Sequence, residues 1–148
     1  MTEGAVTAGI GSVPSGPATE QALRDVVEVR LPADGAYLSV LRTATAGLAA
    51  RLDFTLDEIE DLRIAVDEAC ALLLLDAVPG SDLACVFELL TDTMMVTVTV
   101  ATTTGRLPER GTFAWTVLSA LAGDVDAQVD EDSRVSITLH KRRAGEAA

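Results

Sequence analysis

Two neighbouring carboxylates, Asp67 and Glu68, lie in the stretch LRIAVDEACALLLLDA at residues 62–77. A carboxylate such as Glu68 is a candidate general base, because it can accept a proton from a hydroxyl group. Position 72, one helical turn later, is a leucine, which carries no lone pair and cannot ligate a hard cation such as Mg²⁺. Adjacent charges on a helix are usually solvated. The residues alone therefore favour a surface charge over a catalytic base.

Other residues that commonly take part in chemistry are isolated along the chain. The two cysteines, Cys70 and Cys85, lie in apolar segments without a CxxC motif, and we interpret them as reduced core residues. A disulfide or redox switch between them is the alternative. The single histidine, His140, is predicted to face outward from the last strand, and Arg106 and Arg110 are predicted to be solvated loop residues. No metal site and no Ser/His/Asp grouping is predicted.

The composition indicates one domain with an acidic surface. The chain has 148 residues, a formal net charge of -12 and only 3% aromatic residues, so aliphatic side chains must fill the core. An acidic protein lacks the basic patch that nucleic acid or an anionic membrane surface requires. No stretch reaches the roughly 18 apolar residues of a membrane span, and no signal peptide is evident. We expect a cytoplasmic protein that binds neither nucleic acid nor membrane.

Hydrophobic periodicity predicts an α+β two-layer sandwich, with a mostly antiparallel sheet and helices on one face. The predicted order is β-α-α-β-β-α-β-β. The strands are placed at 26–31, 83–90, 94–102, 125–129 and 135–139, and the helices at 36–52, from 55 to before 79, and at 113–121. Residues 25–142 form the domain, and the small and polar residues of 1–24 and 143–148 are expected to be flexible tails.

The two long helices carry clear apolar stripes. Thr55 and Glu58 form a predicted capping box that starts the second helix. Residues 72–75 are four consecutive leucines, which we expect to be buried on several sides. The stripes consist of Leu38, Leu41, Thr45, Leu48 and Leu52 in the first helix, and of Leu56, Ile59, Leu62, Val66, Ala69 and Leu73 in the second.

Two motifs within this element order carry a family resemblance. DLRIAVDEAC at residues 61–70 and GTFAWTVL at residues 111–118 are similar to motifs of the anti-sigma-factor serine kinases of the RsbW and SpoIIAB type. These proteins control bacterial sporulation and stress switches, and the actinobacterial UsfX type is the most similar. The resemblance covers residues 25–142 and implies the histidine-kinase-like ATPase (GHKL) fold.

The resemblance also implies a nucleotide site, which is degenerate here. Glu68 matches the acidic residue that activates the acceptor serine, whereas Leu72 replaces the asparagine that holds Mg²⁺. The Asp-x-Gly-x-Gly loop corresponds to residues 101–107, ATTTGRL, which contain Thr102 but no aspartate and only one glycine. The remaining family positions are Gly105, Gly111 and Phe113, the last expected to fill the phosphate volume. We therefore expect no cofactor; ATP and Mg²⁺ enter only if the chain is an active kinase.

The resemblance places the partner surface on the first helix. Arg42 matches an arginine that contacts both the sigma factor and its antagonist, and the nearby residues Ser39, Thr43 and Ala46 are small. The implied function is an anti-sigma factor that sequesters an alternative RNA polymerase sigma factor and is released by an anti-anti-sigma protein of the STAS type. The implied assembly is a homodimer. The alternative is an active ATP-dependent serine kinase that phosphorylates that antagonist.

Overall fold

The structure is a computed structural model that describes residues 25–144. Its sequence of elements confirms the predicted order. The elements are β1 (Asp25–Pro32), α1 (Leu38–Arg51), α2 (Leu56–Leu74), β2 (Asp82–Leu89), β3 (Thr93–Ala101), α3 (Phe113–Ala122), β4 (Asp124–Val129) and β5 (Arg134–Arg142), with a 3₁₀ turn at Gly35–Tyr37 before α1.

The strands form one open sheet in the order β1-β2-β3-β5-β4, and every neighbouring pair is antiparallel. Val29, Cys85, Val98 and Ile137 are register partners across the first four strands. Because side chains alternate along a strand, this register places one residue in two of each strand on the same face. The predicted α+β sandwich is therefore confirmed.

The helices lie over one face of the sheet and bury its aliphatic side chains. The fully buried strand residues include Leu83, Cys85, Phe87, Val96, Val98, Val100, Ile137 and Leu139. The opposite face is polar and carries hydroxyl pairs between β3 and β5. Thr97 and Thr138 are 3.1 Å apart and Thr99 and Ser136 are 2.6 Å apart at their hydroxyl oxygens. His140 lies on this polar face, as predicted.

The start of α2 confirms the predicted capping box. The Thr55 hydroxyl accepts from the Glu58 amide at 3.1 Å, and the Glu58 carboxylate accepts from the Thr55 amide at 2.8 Å. The stripe prediction is wrong for Leu56, which is strongly exposed. Leu56 is the first residue of the helix, and no other element covers its side chain.

The four consecutive leucines at the end of α2 do not share one environment. Leu73 is 2% exposed, whereas Leu75 is 79% exposed. Leu72 and Leu74 are half-buried. Because successive helical residues point about 100° apart, the four side chains point in different directions, and of the four only Leu73 is fully buried. The expectation that the whole turn is buried is wrong for Leu75.

The predicted tails lie almost entirely outside the described residues. Of the predicted C-terminal tail, Arg143 donates its amide to the Asp92 carbonyl at 2.7 Å, and the Ala144 amide donates to Glu58 at 2.6 Å. Within residues 25–144, no helix has the length and apolarity needed to cross a membrane.

Candidate functional site

A cavity of about 270 Å³ lies between the C-terminal end of α2 and the loop that leads to α3. Residues 72 and 102, which belong to the predicted nucleotide site, both line it. Its walls are mainly apolar, with two carboxylates and one arginine among the polar residues. The lining consists of Leu72, Leu73, Leu75, Asp76, Thr102, Arg106, Leu107, Pro108, Glu109, Thr112 and Val135.

The residues of this cavity do not fit a magnesium nucleotide. Leu72 presents methyl groups where the metal ligand is expected, and a polyphosphate against leucines would lose hydration without compensating hydrogen bonds. The cavity is also slightly smaller than the roughly 300–1,000 Å³ of ligand pockets. Residues 25–144 contain no group of three or more His, Cys, Asp or Glu side chains placed to hold a metal ion.

Glu68 is separate from the cavity. It is half-buried on α2 and is not among the lining residues. Within residues 25–144 its carboxylate has no hydrogen-bond or ion-pair partner. Leu72 and Thr102 therefore share one cavity, whereas Glu68, one turn before Leu72 on α2, does not line it.

The first part of the loop is fixed by Thr102 and Gly105. The Thr102 hydroxyl donates to the Ser133 carbonyl at 2.7 Å and accepts from the Gly105 amide at 2.8 Å. Gly105 has φ +66°, and a β-carbon at this position would lie 3.0 Å from the Ser133 hydroxyl oxygen. The backbone turn thus requires a glycine, which explains Gly105 without a nucleotide.

Further contacts hold the two ends of the loop. Asp76 accepts the Thr103 amide at its carbonyl (2.9 Å) and the Thr104 hydroxyl at its carboxylate (3.0 Å). Arg110 stacks on Trp115, 4.7 Å from the ring centre, and donates to Asp126 at 2.9 Å. The Arg110 side chain is still 56% exposed, so it is a solvent-exposed loop residue that also has two partners. The hydrogen bond from Arg110 also lowers the pKa of the Asp126 carboxyl.

The segment that begins α3 differs from the expected phosphate cap. The Thr112 hydroxyl caps the helix by accepting from the Trp115 amide at 3.2 Å. Phe113 is 83% exposed, so the expectation that it fills the phosphate volume is wrong. Gly111 has open space around it and does not line the cavity. The hydroxyl of Thr112 thus satisfies one amide of a helix N-terminus that could otherwise receive a phosphate.

A second polar feature lies where α1 faces α2. Nη1 of Arg42 donates to both carboxylate oxygens of Asp67, at 3.0 and 2.8 Å. The two side chains are 39% and 35% exposed. This ion pair was not predicted from the sequence. Of the other predicted contact residues, Ser39 and Thr43 are exposed and Ala46 is half-buried.

Sequence reasoning missed Asp67 and Asp76. Both were visible as acidic residues of α2 and its end, but their partners are 25 and 28 residues away along the chain. Nothing local in the sequence fixes the register between α1 and α2 or the path of the loop. A charged residue near a predicted helix seam was the only available signal.

The two cysteines are buried and unpaired. Burial raises the pKa of the Cys70 thiol to about 12, with a smaller contribution from the Asp67 charge, and burial also raises the pKa of Cys85. A thiol that stays protonated is a poor nucleophile. The interpretation of both as reduced core residues is therefore consistent with the structure.

Comparisons with known proteins identify the family. No protein-family model matches the chain. The chain is 36% identical over 124 residues to the anti-sigma-F factor RsbW of Mycobacterium tuberculosis, covering 80% of this chain and 74% of the relative. It is 27% identical over 138 residues to the serine-protein kinase RsbW of Bacillus cereus, covering 79% and 86%.

Among solved structures, the fold is similar to the crystal structure of the RsbU and RsbW domains of a Mycobacterium tuberculosis protein. The TM-score is 0.62 at 16% identity, and the match covers 84% of this chain and 34% of that longer one. The fold likeness and the sequence identity point to the same group of proteins. This chain belongs to the RsbW family of anti-sigma factors and serine-protein kinases.

Proposed function

We propose that this protein is an anti-sigma factor that binds an alternative RNA polymerase sigma factor and does not phosphorylate its antagonist. Family membership supports the sigma-factor partner, because the Mycobacterium tuberculosis relative is an anti-sigma-F factor. The observation that carries the second half is Leu72, which lines the cavity where a metal ligand is needed. A STAS-type anti-anti-sigma protein releases the sigma factor in this scheme.

The partner surface in this proposal is the outer side of α1. Ser39 and Thr43 are small and exposed, so a partner backbone can approach closely, and the Arg42 guanidinium is accessible beside them. Arginine at such a surface gives charge-assisted hydrogen bonds to a carboxylate. We also propose a homodimer and, because the sigma factor acts on RNA polymerase, a cytoplasmic location.

The alternative is an active serine kinase, which the Bacillus relatives are by name. Phosphoryl transfer depends on positioning and on neutralising phosphate charge with a metal ion. Here Glu68 lacks an orienting partner within residues 25–144 and the cavity wall is leucine. These features favour the binding protein over the kinase.

A reconstituted transcription assay tests the proposal. Core RNA polymerase is combined with each alternative sigma factor of the source organism, with and without this protein. We expect transcription by one of these sigma factors to be inhibited, and the STAS antagonist to restore it equally with and without ATP. Failure to inhibit any sigma factor would overturn the anti-sigma role. Serine phosphorylation of the antagonist would support the kinase.

A further inference from the structure

The ion pair between Arg42 and Asp67 leaves one edge of the guanidinium unused. Both oxygens of Asp67 accept from the same nitrogen, Nη1. Within residues 25–144, Nε and Nη2 of Arg42 have no partner. These two nitrogens carry parallel N–H groups, and that edge is suited to bind a carboxylate with two hydrogen bonds.

The pair is also placed where it can act on a partner. Arg42 lies on α1 and Asp67 on α2, so the contact fixes the arginine against a second helix. A free arginine side chain loses rotamer entropy when it is ordered. Asp67 removes part of that cost before any partner arrives, because both acceptor oxygens hold the same nitrogen.

We propose that Asp67 is a positioning residue for partner recognition, which holds Arg42 so that its Nε and Nη2 edge faces a carboxylate of the partner. This inference rests on the proposed function, because it requires that Arg42 contacts the sigma factor. Asp67 itself does not touch the partner. It acts through Arg42, so its effect must disappear when Arg42 is absent.

A double-mutant cycle tests this inference by calorimetry with the sigma factor that wild type inhibits. We expect Arg42→Ala to weaken binding strongly and Asp67→Ala to weaken it by about tenfold, which is about 1.4 kcal/mol. In the Arg42→Ala background, Asp67→Ala should have no further effect. Glu60→Ala is the matched control, because it breaks an exposed pair with Arg63 (2.8 Å) on the same helix, and it should leave binding unchanged.

Arg42→Lys separates positioning from general charge. A lysine can still pair with Asp67 but has no pair of parallel N–H groups, so we expect an unchanged melting temperature and weakened binding. Equal binding by Arg42→Lys would overturn the assigned edge.

The possible outcomes separate the two levels of the proposal. If wild type binds no sigma factor, the proposed function fails and this inference fails with it. If Arg42→Ala binds like wild type, the partner docks elsewhere. If Arg42→Ala weakens binding but Asp67→Ala leaves it unchanged or tightens it, the anti-sigma role stands and the positioning role of Asp67 is wrong.

Discussion

The middle of α2 carries a paired carboxylate, whereas its C-terminal end is apolar. In the middle, Asp67 is paired with Arg42 across the α1 and α2 seam. At the end, Leu72, Leu73 and Leu75 line a cavity where the family places a nucleotide. The same helix therefore carries an ordered, accessible ion pair and, about one turn later, leucine side chains that offer a phosphate group no hydrogen bonds. The contrast supports the proposed binding protein over an active kinase.

The largest expected effect is on sigma-factor binding, at the contact between Arg42 of α1 and Asp67 of α2. Arg42→Glu should weaken sigma-factor binding by about 2–5 kcal/mol, because it reverses the charge that pairs with the partner's carboxylate in the proposed complex. The new carboxylate also faces Asp67, so we expect a loss of about 1 kcal/mol in the free energy of unfolding. Calorimetric affinities and urea melts measure the two effects.

Arg51→Glu is the control for that substitution, because Arg51 is exposed on the same helix and has no partner within residues 25–144. Equal losses of affinity for the two variants would show that general charge, and not the seam, controls binding.

The second test separates the leucines at the end of α2. Leu73→Ala removes a buried side chain and should lower the free energy of unfolding by about 2–5 kcal/mol. Leu75→Ala, at an exposed position two residues later, should change it by less than about 0.5 kcal/mol. Chemical denaturation of both variants checks this. A large loss for Leu75→Ala would mean that the cavity wall is covered in solution.

The third test concerns the cap that fixes the start of α2. Thr55→Ala should cost about 1 kcal/mol of stability. Burial works against ionisation of Glu58, but hydrogen bonds from the Thr55 and Ala144 amides outweigh it and lower its pKa below 4.5. The stabilisation by Glu58 is therefore present above the pKa of the unfolded chain and is lost as the pH falls through the lowered folded value.

Urea melts between neutral and acidic pH measure that dependence. The free energy of unfolding should fall less at acidic pH in Glu58→Gln than in wild type, because the contribution from protonation of Glu58 is removed. An identical pH profile for wild type and Glu58→Gln would contradict this role of the carboxylate.

A small stability effect is expected at the cavity. Leu72→Asn should cost only about 0.5–1 kcal/mol, because Leu72 is half-buried and water in the cavity can satisfy the amide. Had residue 72 been fully buried, as expected from the sequence, the unpaired amide would cost about 1–3 kcal/mol. The variant should not gain ATP binding, since the loop aspartate and one of the two loop glycines are also absent. A gain of ATP binding would mean that only the metal ligand is missing.

Much of the fold follows from local pattern. Strand alternation placed β2, β3 and β5, and the Thr55 and Glu58 spacing placed the start of α2, because both signals depend on near neighbours. The errors, at Leu56, Leu75 and Phe113, are side chains whose exposure depends on what packs above them. Helical periodicity predicts which side of a helix is apolar, but it does not predict how far the layer packed against that side extends.

The site was predictable only in part. The resemblance grouped Leu72 with Thr102, and both residues line one cavity. The pairing of Arg42 with Asp67, and the attachment of the loop through Arg110 to Trp115, join residues whose approach is set by helix packing and loop path. Such contacts have no local signature in the sequence.

Titration of the wild-type protein with ATP in the presence of Mg²⁺ tests the central claim most directly. Isothermal titration calorimetry should show no saturable heat up to a nucleotide concentration of about 1 mM, which corresponds to a binding free energy weaker than about -4.1 kcal/mol. Saturable binding in the micromolar range, together with phosphorylation of the antagonist that is lost in Glu68→Ala, would contradict the claim and show that the protein is a kinase.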